Sequence, residues 1–542
     1  MPIIQTKCSN EFVRPTTLSS YKAVWIAVLV MGLLQGLYSV GFIARTSFVV
    51  EGHRYFCLFD DAMISMRYAA NWADGHGFVW NPGERVEGYT TFGWTFVMGL
   101  CHLFRLSPSY TCLLVQVLGV PILWGCLVST ALLARSCRLS PALACCAIVL
   151  AGTFYNLIFF TLSGMETGLL TLLVTFALAD TVKYISEERG GIRPVLWFAP
   201  AALIRPDALP VMLFVFLFFW FSVKKGRFRL LIGLLVVVLV VLAHFLWRYH
   251  FYGQWLPNTY YLKLTGWPLP DRIAAGIKQT FWTVVVLGLP ALLAAIAAIQ
   301  DTKRWHFLIL GSFAISVIYQ VYVGGDAWPL NRFVLPYSLG LFVLAAEGIN
   351  RIVILLINRK TDALKTAFRL TLTILCIVAV NGIHWDHCIL LARPQTTADR
   401  RMNIRYFLAV EKVADPNASV AVRLAGTYPY FSKRLCFDLL GKCDPYIAHL
   451  PAHPEISRAG HNKFDYTYSF TVHRPDIILH VVGIPNDVFY QLYRPIIVEV
   501  DGTEMTFCVR RDNPMFKKYK TATWPEIEKC FLKMERQARE DF

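Results

Sequence analysis

The chain has 542 residues, a formal net charge of +16, 56% hydrophobic and 16% charged residues, and a mean hydropathy of +0.48. Soluble globular proteins carry about 45–50% apolar and about 25% charged residues, so this composition excludes an ordinary soluble enzyme and a disordered chain, and points to a polytopic membrane protein. The positive charge is spread over short loops rather than along one basic stripe, which argues against nucleic acid and for membrane lipids as partners.

Residues 1–23 carry Lys7, Arg14 and Lys22 and read as a cytoplasmic tail. The apolar stretch 24–46 is too long for a signal peptide and lacks a small-residue cleavage site, so it reads as a retained first span. Further apolar segments lie at 111–134, 141–160, 164–182, 195–222, 229–247, 280–299, 306–323, 333–357 and 367–385. Segment 195–222 is interrupted by Arg205-Pro206-Asp207, which is costly in hydrocarbon, and splits into two short spans. That makes about eleven transmembrane helices over 24–385. The stretch 91–105 is shorter and reads as an interfacial amphipathic helix.

With the N-terminus cytoplasmic, the basic loops at Arg135 and Arg138, Lys183–Arg193, Lys224–Arg229, Lys303 and Arg304, and Arg359–Lys365 all fall inside. The outer face then holds loop 47–110, the turn near 161–166, the Arg205-Pro206-Asp207 turn, loop 248–279, loop 324–332 and everything after about 386. Residues 386–542 are polar and contain no span. They read as an extracytoplasmic α/β domain with candidate strands at 419–423, 476–482 and 496–500. Most of the 14 cysteines sit in apolar runs and pack as small hydrophobes. Cys436 and Cys443 lie in the polar region and either pair or stay free.

The first outer loop carries the adjacent acids Asp60 and Asp61. Paired carboxylates beside a membrane helix suit a general base, or a divalent cation (Mg, Mn or Ca) held between them. A like-charged neighbour and burial raise one of the two pKa values into a useful range. The plainer alternative is a helix N-cap. No cofactor signature accompanies them: P-loop, dinucleotide and G-x-S-x-G patterns are all missing from the sequence. His53, His76 and His102 lack metal-ligand spacing and read as structural.

The block FDDAMISMRYAANWADGHGFVWNPGERVEGYTTFGWT closely resembles the first-loop signature of the GT-C glycosyltransferases, in particular the branch of the mycobacterial terminal β-arabinofuranosyltransferase. SGMETGL, LIRPDALPV, FYGQWLPNTYYLK, GGDAWPLNRFVLP and FDLLGKCDPYIA resemble that branch in the same order, over roughly residues 55–450. The resemblance implies a polyprenyl-phosphate sugar donor, a pentofuranose such as D-arabinose, and an extracytoplasmic acceptor: a polysaccharide, a lipopolysaccharide or a protein. It also implies a bacterial inner membrane, with the C-terminal domain in the periplasm. Asp60 matches the catalytic base, and Asp61 orients it or holds a cation. Arg67, Arg205, Lys263 and Arg332 are the candidate phosphate binders. Glu166, Trp255, Asn258, Tyr260, Asp326 and Trp328 are the candidate sugar or acceptor contacts. Gly324 and Gly325 allow a tight turn that presents Asp326 and Arg332. Ion pairing of Arg205 with Asp207, helix capping by Glu166 and interfacial anchoring by the aromatic residues are the structural alternatives. A lipid-linked sugar flippase is the rival function. It would place its site near the bilayer midplane, often between internal repeats, and no repeats are evident here.

Overall fold

Large apolar side chains facing outward identify the surroundings of the helical region: Leu37 is 73% and Ile299 79% exposed, which is tolerable only against hydrocarbon. The computed structural model describes residues 21–326, 328, 330–357, 360–453, 455–456, 458–479, 487–523, 525–527 and 529. Lys7, Arg14, Arg359, the end of the second candidate strand run at 480–482, and 530–542 lie outside the described residues.

Helix α1 (Lys22–Thr46) leads into a hairpin of β1 (Phe48–Val50) and β2 (His53–Tyr55). The first loop then folds as α2 (Asp60–Ala73) and α3 (Phe92–His102), packed on each other. Helix α3 lies where the interfacial segment is expected. At 11 residues it is too short to cross. Next come α4 (Pro108–Ser136) and the pair α5 (Pro141–Thr153) and α6 (Tyr155–Leu162), bent by 48° at their junction. Pro108 and Pro141 open their helices at the first turn, where a missing N–H costs nothing.

Helix α7 (Thr167–Ser186) is followed by the short helices α8 (Arg193–Leu196) and α9 (Phe198–Ile204), which end at Arg205 in an extended conformation. A 3-10 turn at Pro206–Ala208 starts α10 (Leu209–Ser222), so the chain breaks where the Arg-Pro-Asp sequence predicts. Then follow α11 (Arg227–Tyr252), α12 (Asn258–Leu264), α13 (Leu269–Gln300), α14 (Arg304–Tyr322), α15 (Ser338–Ile357) and α16 (Asp362–Asn381). Among the described residues, 8 helices are long and apolar enough to cross a membrane, up to 9 when the bent pair is one span; 193–204 and 206–222 are shorter apolar helices.

The basic loops gather at one end of the bundle. Arg135, Arg138, Lys183 and Arg193 border one cavity, Gly190 N–H donates to Lys225 O, and Arg304 reaches Ser222 O.

After a short helix, α17 (Trp385–Cys388), α18 (Thr397–Val413) opens an α/β domain. Its five-stranded sheet contains β3 (Val420–Val422), β4 (Cys436–Asp438), β5 (Ile477–Ile478), β6 (Tyr493–Val500) and β7 (Thr503–Arg510), in the order β4-β3-β5-β7-β6. Strand β3 pairs parallel with β4 and β5, while β7 runs antiparallel to β5 and β6. The three strand runs read from the sequence are β3, β5 and β6. Short helices α19 (Thr427–Ser432) and α20 (Pro445–His449) pack on α2 and α12 of the bundle. Buried Arg400 completes the docking by donating to Cys57 O and Ser163 Oγ, both at 3.3 Å. Cys436 and Cys443 are free, buried thiols.

Candidate active site

The N-terminus of α2 faces a cavity of about 230 Å³. The cavity is walled by α2, the 88–91 loop, the Met165-Glu166 turn, the Arg205-Pro206-Asp207 break, the end of α11, α12, Arg332 and Lys442. Polar segments far apart in the chain therefore converge at the end of the bundle opposite the basic loops.

Asp61 lines the cavity and is held on both oxygens: Oδ2 accepts from Arg332 at 3.0 Å and Oδ1 from Lys442 at 3.1 Å. Burial alone would raise its pKa, but Lys442, Arg332 and Lys263 outweigh that and hold it well below the ordinary carboxylate value. Asp60 turns the other way, toward the C-terminal domain. Its Oδ1 accepts from the Thr427 N–H at 2.9 Å and from Thr427 Oγ1 at 3.1 Å, while Oδ2 is buried without a partner. Burial raises the Asp60 pKa, and Lys442 and the Thr427 bonds offset this only in part. Gly426 makes the approach possible, because a Cβ there would lie 2.1 Å from Asp60 O. Two adjacent acids thus sit in opposite environments, the pattern that separates a basic carboxylate from a permanently charged one.

The expected cations divide. Arg332 grips Asp326 through two bonds of 3.0 and 2.9 Å and reaches across to Asp61. Gly324 and Gly325, at φ 86° and 83°, form the turn that precedes this loop. Arg205 pairs with Asp207 at 2.7 Å and Glu166 at 2.9 Å, and all three border the cavity. Glu166 occupies the N-cap position of α7 but makes no capping bond. Lys263 borders the cavity and, among the described residues, makes no hydrogen bond or ion pair; burial and the repulsion of Arg332 lower its pKa. Tyr260 also borders the cavity.

Five expected residues are committed elsewhere. Arg67 is buried off the cavity and commits four of its five N–H donors, to the carbonyls of Trp80, Pro429 and Arg434 and to Asn81 Oδ1, so it serves the domain junction rather than the cavity. Asn258 Nδ2 donates to the carbonyls of Gly441, Lys442 and Asp444 at 2.9, 3.0 and 3.2 Å, so it anchors the C-terminal domain rather than a sugar. Asp326 spends both oxygens on Arg332. Trp328 packs edge-on against Phe59 at 4.9 Å under Arg458. Trp255 is half exposed and stacks on Tyr249 at 4.4 Å.

Two residues of the site are absent from the sequence expectations. Lys442 lies inside the FDLLGKCDPYIA block, where a lone lysine in a tight Gly-Lys-Cys turn was the available signal. Arg248 borders the cavity from α11, paired at 2.6 Å with Glu87, whose carboxyl is pushed up to about 7 by burial despite that arginine. Read from the sequence, Arg248 falls at the start of the outer loop 248–279, where an arginine draws no notice.

A divalent cation finds little to hold it. No group of three His, Cys, Asp or Glu side chains occurs among the described residues. Both Asp61 oxygens face cations and Asp60 Oδ1 faces Thr427, leaving one free carboxylate oxygen, whereas such ions take about six oxygen ligands. The residues present do not fit one.

Comparison with known proteins supports the fold. A family model described as a domain of unknown function (DUF8728) matches residues 392–530. No curated protein matches the sequence. The structure is similar to ArnT from Cupriavidus metallidurans in the apo state, with a TM-score of 0.54 at 12% identity over 89% of this chain and 97% of that one. It is equally similar to ArnT bound to undecaprenyl phosphate: TM-score 0.54, 10% identity, 91% and 99% covered. The apo Archaeoglobus fulgidus oligosaccharyltransferase gives a TM-score of 0.49 at 11% identity over 79% of this chain, which spans 65% of that protein's length. The likeness to ArnT shows a shared fold, a polytopic helical membrane domain with a C-terminal α/β domain.

Proposed function

We propose that the protein is a membrane glycosyltransferase that moves a sugar from a polyprenyl phosphate to an acceptor at the face carrying the C-terminal domain. That face is extracytoplasmic, because the opposite end collects the basic loops. The observation that carries the reading is the split acidic pair beside a cavity rich in cations: Asp61 on the lining, fixed as an anion, and Asp60 next to it, buried, with a raised pKa and an unpartnered oxygen. The undecaprenyl phosphate bound by ArnT, a protein of like fold, supports the donor class.

In this reading the acceptor hydroxyl approaches from the C-terminal domain side, and its proton passes to Asp60 Oδ2. The hydroxyl oxygen bonds to the anomeric carbon as the bond from that carbon to the phosphate oxygen breaks, and the polyprenyl phosphate leaves with the electron pair. Lys263, Arg332 and Arg205 balance the charge that builds on the phosphate. Lys263 is the cation with no competing partner and meets the phosphate first. Asp61 keeps Arg332 and Lys442 aligned. Tyr260 and Glu166 border the space left for the sugar. A pentofuranose such as D-arabinose is the sugar the sequence blocks favour, and a bacterial inner membrane the location. The test is transfer by the purified full chain from a panel of polyprenyl-phosphate sugars, beside Asp60→Asn. Transfer from one donor, lost in the variant, is expected. A folded protein that transfers from no donor would refute the reading and favour a flippase.

A further inference from the structure

The C-terminal domain does more than cover the cavity, since it carries a charge into it. Lys442 Nζ lies 3.1 Å from Asp61 Oδ1, and its side chain is 12% exposed. Arg332 holds the other oxygen at 3.0 Å. Lysine and arginine together place two positive charges on one carboxylate, the charge of a single divalent ion.

Lys442 is held in place from both domains. Within its own domain, Asp438 accepts from the Leu440 and Cys443 N–H groups at 3.0 and 2.8 Å, and Gly441 takes φ 77° to close the turn. From the membrane domain, Asn258 binds the carbonyls on either side of the lysine and its own carbonyl. Gly88 permits the contact, because a Cβ there would lie 2.5 Å from Cys443 Sγ and 2.9 Å from Lys442 O. A lysine on so constrained a loop has little rotamer freedom left to lose, so its charge is preorganised.

We propose that Lys442 takes the position of a divalent cation beside Asp60 and Asp61, so that the docked C-terminal domain, rather than a bound metal, supplies the second positive charge facing the donor phosphate. The phosphate part of this proposal rests on the glycosyl-transfer reading, but the decisive test does not.

That test is Mn²⁺ titration of the detergent-solubilised full chain, followed by electron paramagnetic resonance. The wild type is expected to show no Mn²⁺ binding that Asp61→Asn removes. Lys442→Ala should gain a Mn²⁺ site that the Lys442→Ala/Asp61→Asn double variant lacks, while Lys442→Arg should remain closed. Asp61-dependent Mn²⁺ binding in the wild type would overturn the proposal. So would a Lys442→Ala protein that melts like the wild type yet gains no site. Should Lys442→Ala fail to fold, Lys442→Met keeps an unbranched side chain one atom shorter, without the charge, and is read the same way. A parallel arm measures undecaprenyl phosphate affinity. It should be equal in EDTA and in Mn²⁺ for the wild type and fall at least tenfold in Lys442→Met. Affinity that EDTA abolishes would contradict the proposal. Failure of the wild type to bind undecaprenyl phosphate at all would count against the donor reading, leaving the Mn²⁺ result to decide this one.

Discussion

Two clusters of charge occupy opposite ends of the bundle, one partly exposed and one around the buried cavity, and they differ in whether their charges are fully paired. At the basic end, Glu347 accepts from Lys303 and Arg351 through Oε1, both at 3.3 Å, and meets His306 Nε2 through Oε2 at 3.1 Å. Asp301 Oδ2 takes Lys303 at 2.9 Å and Arg351 at 2.8 Å. Every acid there is matched, and the cluster ties α13, α14 and α15 together. At the cavity, Arg205, Arg248 and Arg332 are matched in the same way, but the Lys263 ammonium is not, and neither is the buried Oδ2 of Asp60, next in the chain to the lining residue Asp61. Buried polar groups left unpaired beside a cavity are costly unless a ligand completes them. The difference separates a structural ion cluster from a site.

Substitutions at the two ends should therefore separate function from stability. Asp60→Asn keeps the shape and removes the base, so transfer should fall by about 10²–10⁴-fold with an unchanged thermal midpoint; near wild-type turnover would remove Asp60 from that role. Lys263→Met should weaken undecaprenyl phosphate binding by about 10–100-fold, the worth of one hydrogen bond to a charged group, with folding intact. Equal affinity in the two proteins would show that Lys263 does not meet the phosphate. Glu347→Gln should do the reverse, lowering unfolding stability by about 1–3 kcal/mol while leaving turnover per folded molecule alone; a loss of turnover without destabilisation would erase the contrast. Trp255→Ala should change transfer by less than about twofold, because the ring stacks on Tyr249 at the surface, where substitutions cost little.

The sequence is legible wherever the physics is local. Hydropathy marks the 8 helices among the described residues that are long and apolar enough to cross, and the bent pair, since partition into hydrocarbon is a property of a contiguous stretch; the other two of the eleven expected spans are shorter apolar helices. Arg205-Pro206-Asp207 marks the break between α9 and α10, because a proline and two charges act on their own backbone. Paired Gly324 and Gly325 mark a turn for the same reason. Asp61, Glu166, Arg205, Tyr260, Lys263 and Arg332 all border the cavity, and Asp60 lies buried next to Asp61.

What is not legible depends on partners distant in the chain. Arg67 is claimed by carbonyls more than 350 positions away, and nothing near it in sequence announces that. Asn258 looks like a sugar ligand until the Gly441–Asp444 turn docks against it. Lys442 is the converse: an ordinary lysine in a soluble domain becomes a site residue only when α20 packs on α12. Strand β4 reads Cys-Phe-Asp, which lacks the run of β-branched residues that marks β3 and β5. Strand β7 is longer, but its buried run lacks clean alternation.

The split between Asp60 and Asp61 is the centre of the account, and pH reads it most directly. A base must be ionised to accept a proton, so activity is lost as pH falls through its pKa. Burial puts that of Asp60 above the ordinary carboxylate value, while Asp61 stays charged to well below it. The measurement is the pH profile of kcat/KM for transfer by the wild type. The account predicts a single acid limb whose midpoint lies above the ordinary aspartate value of about 3.9, and which Asp60→Asn removes together with the activity. A rate that holds flat down to that ordinary value would contradict it.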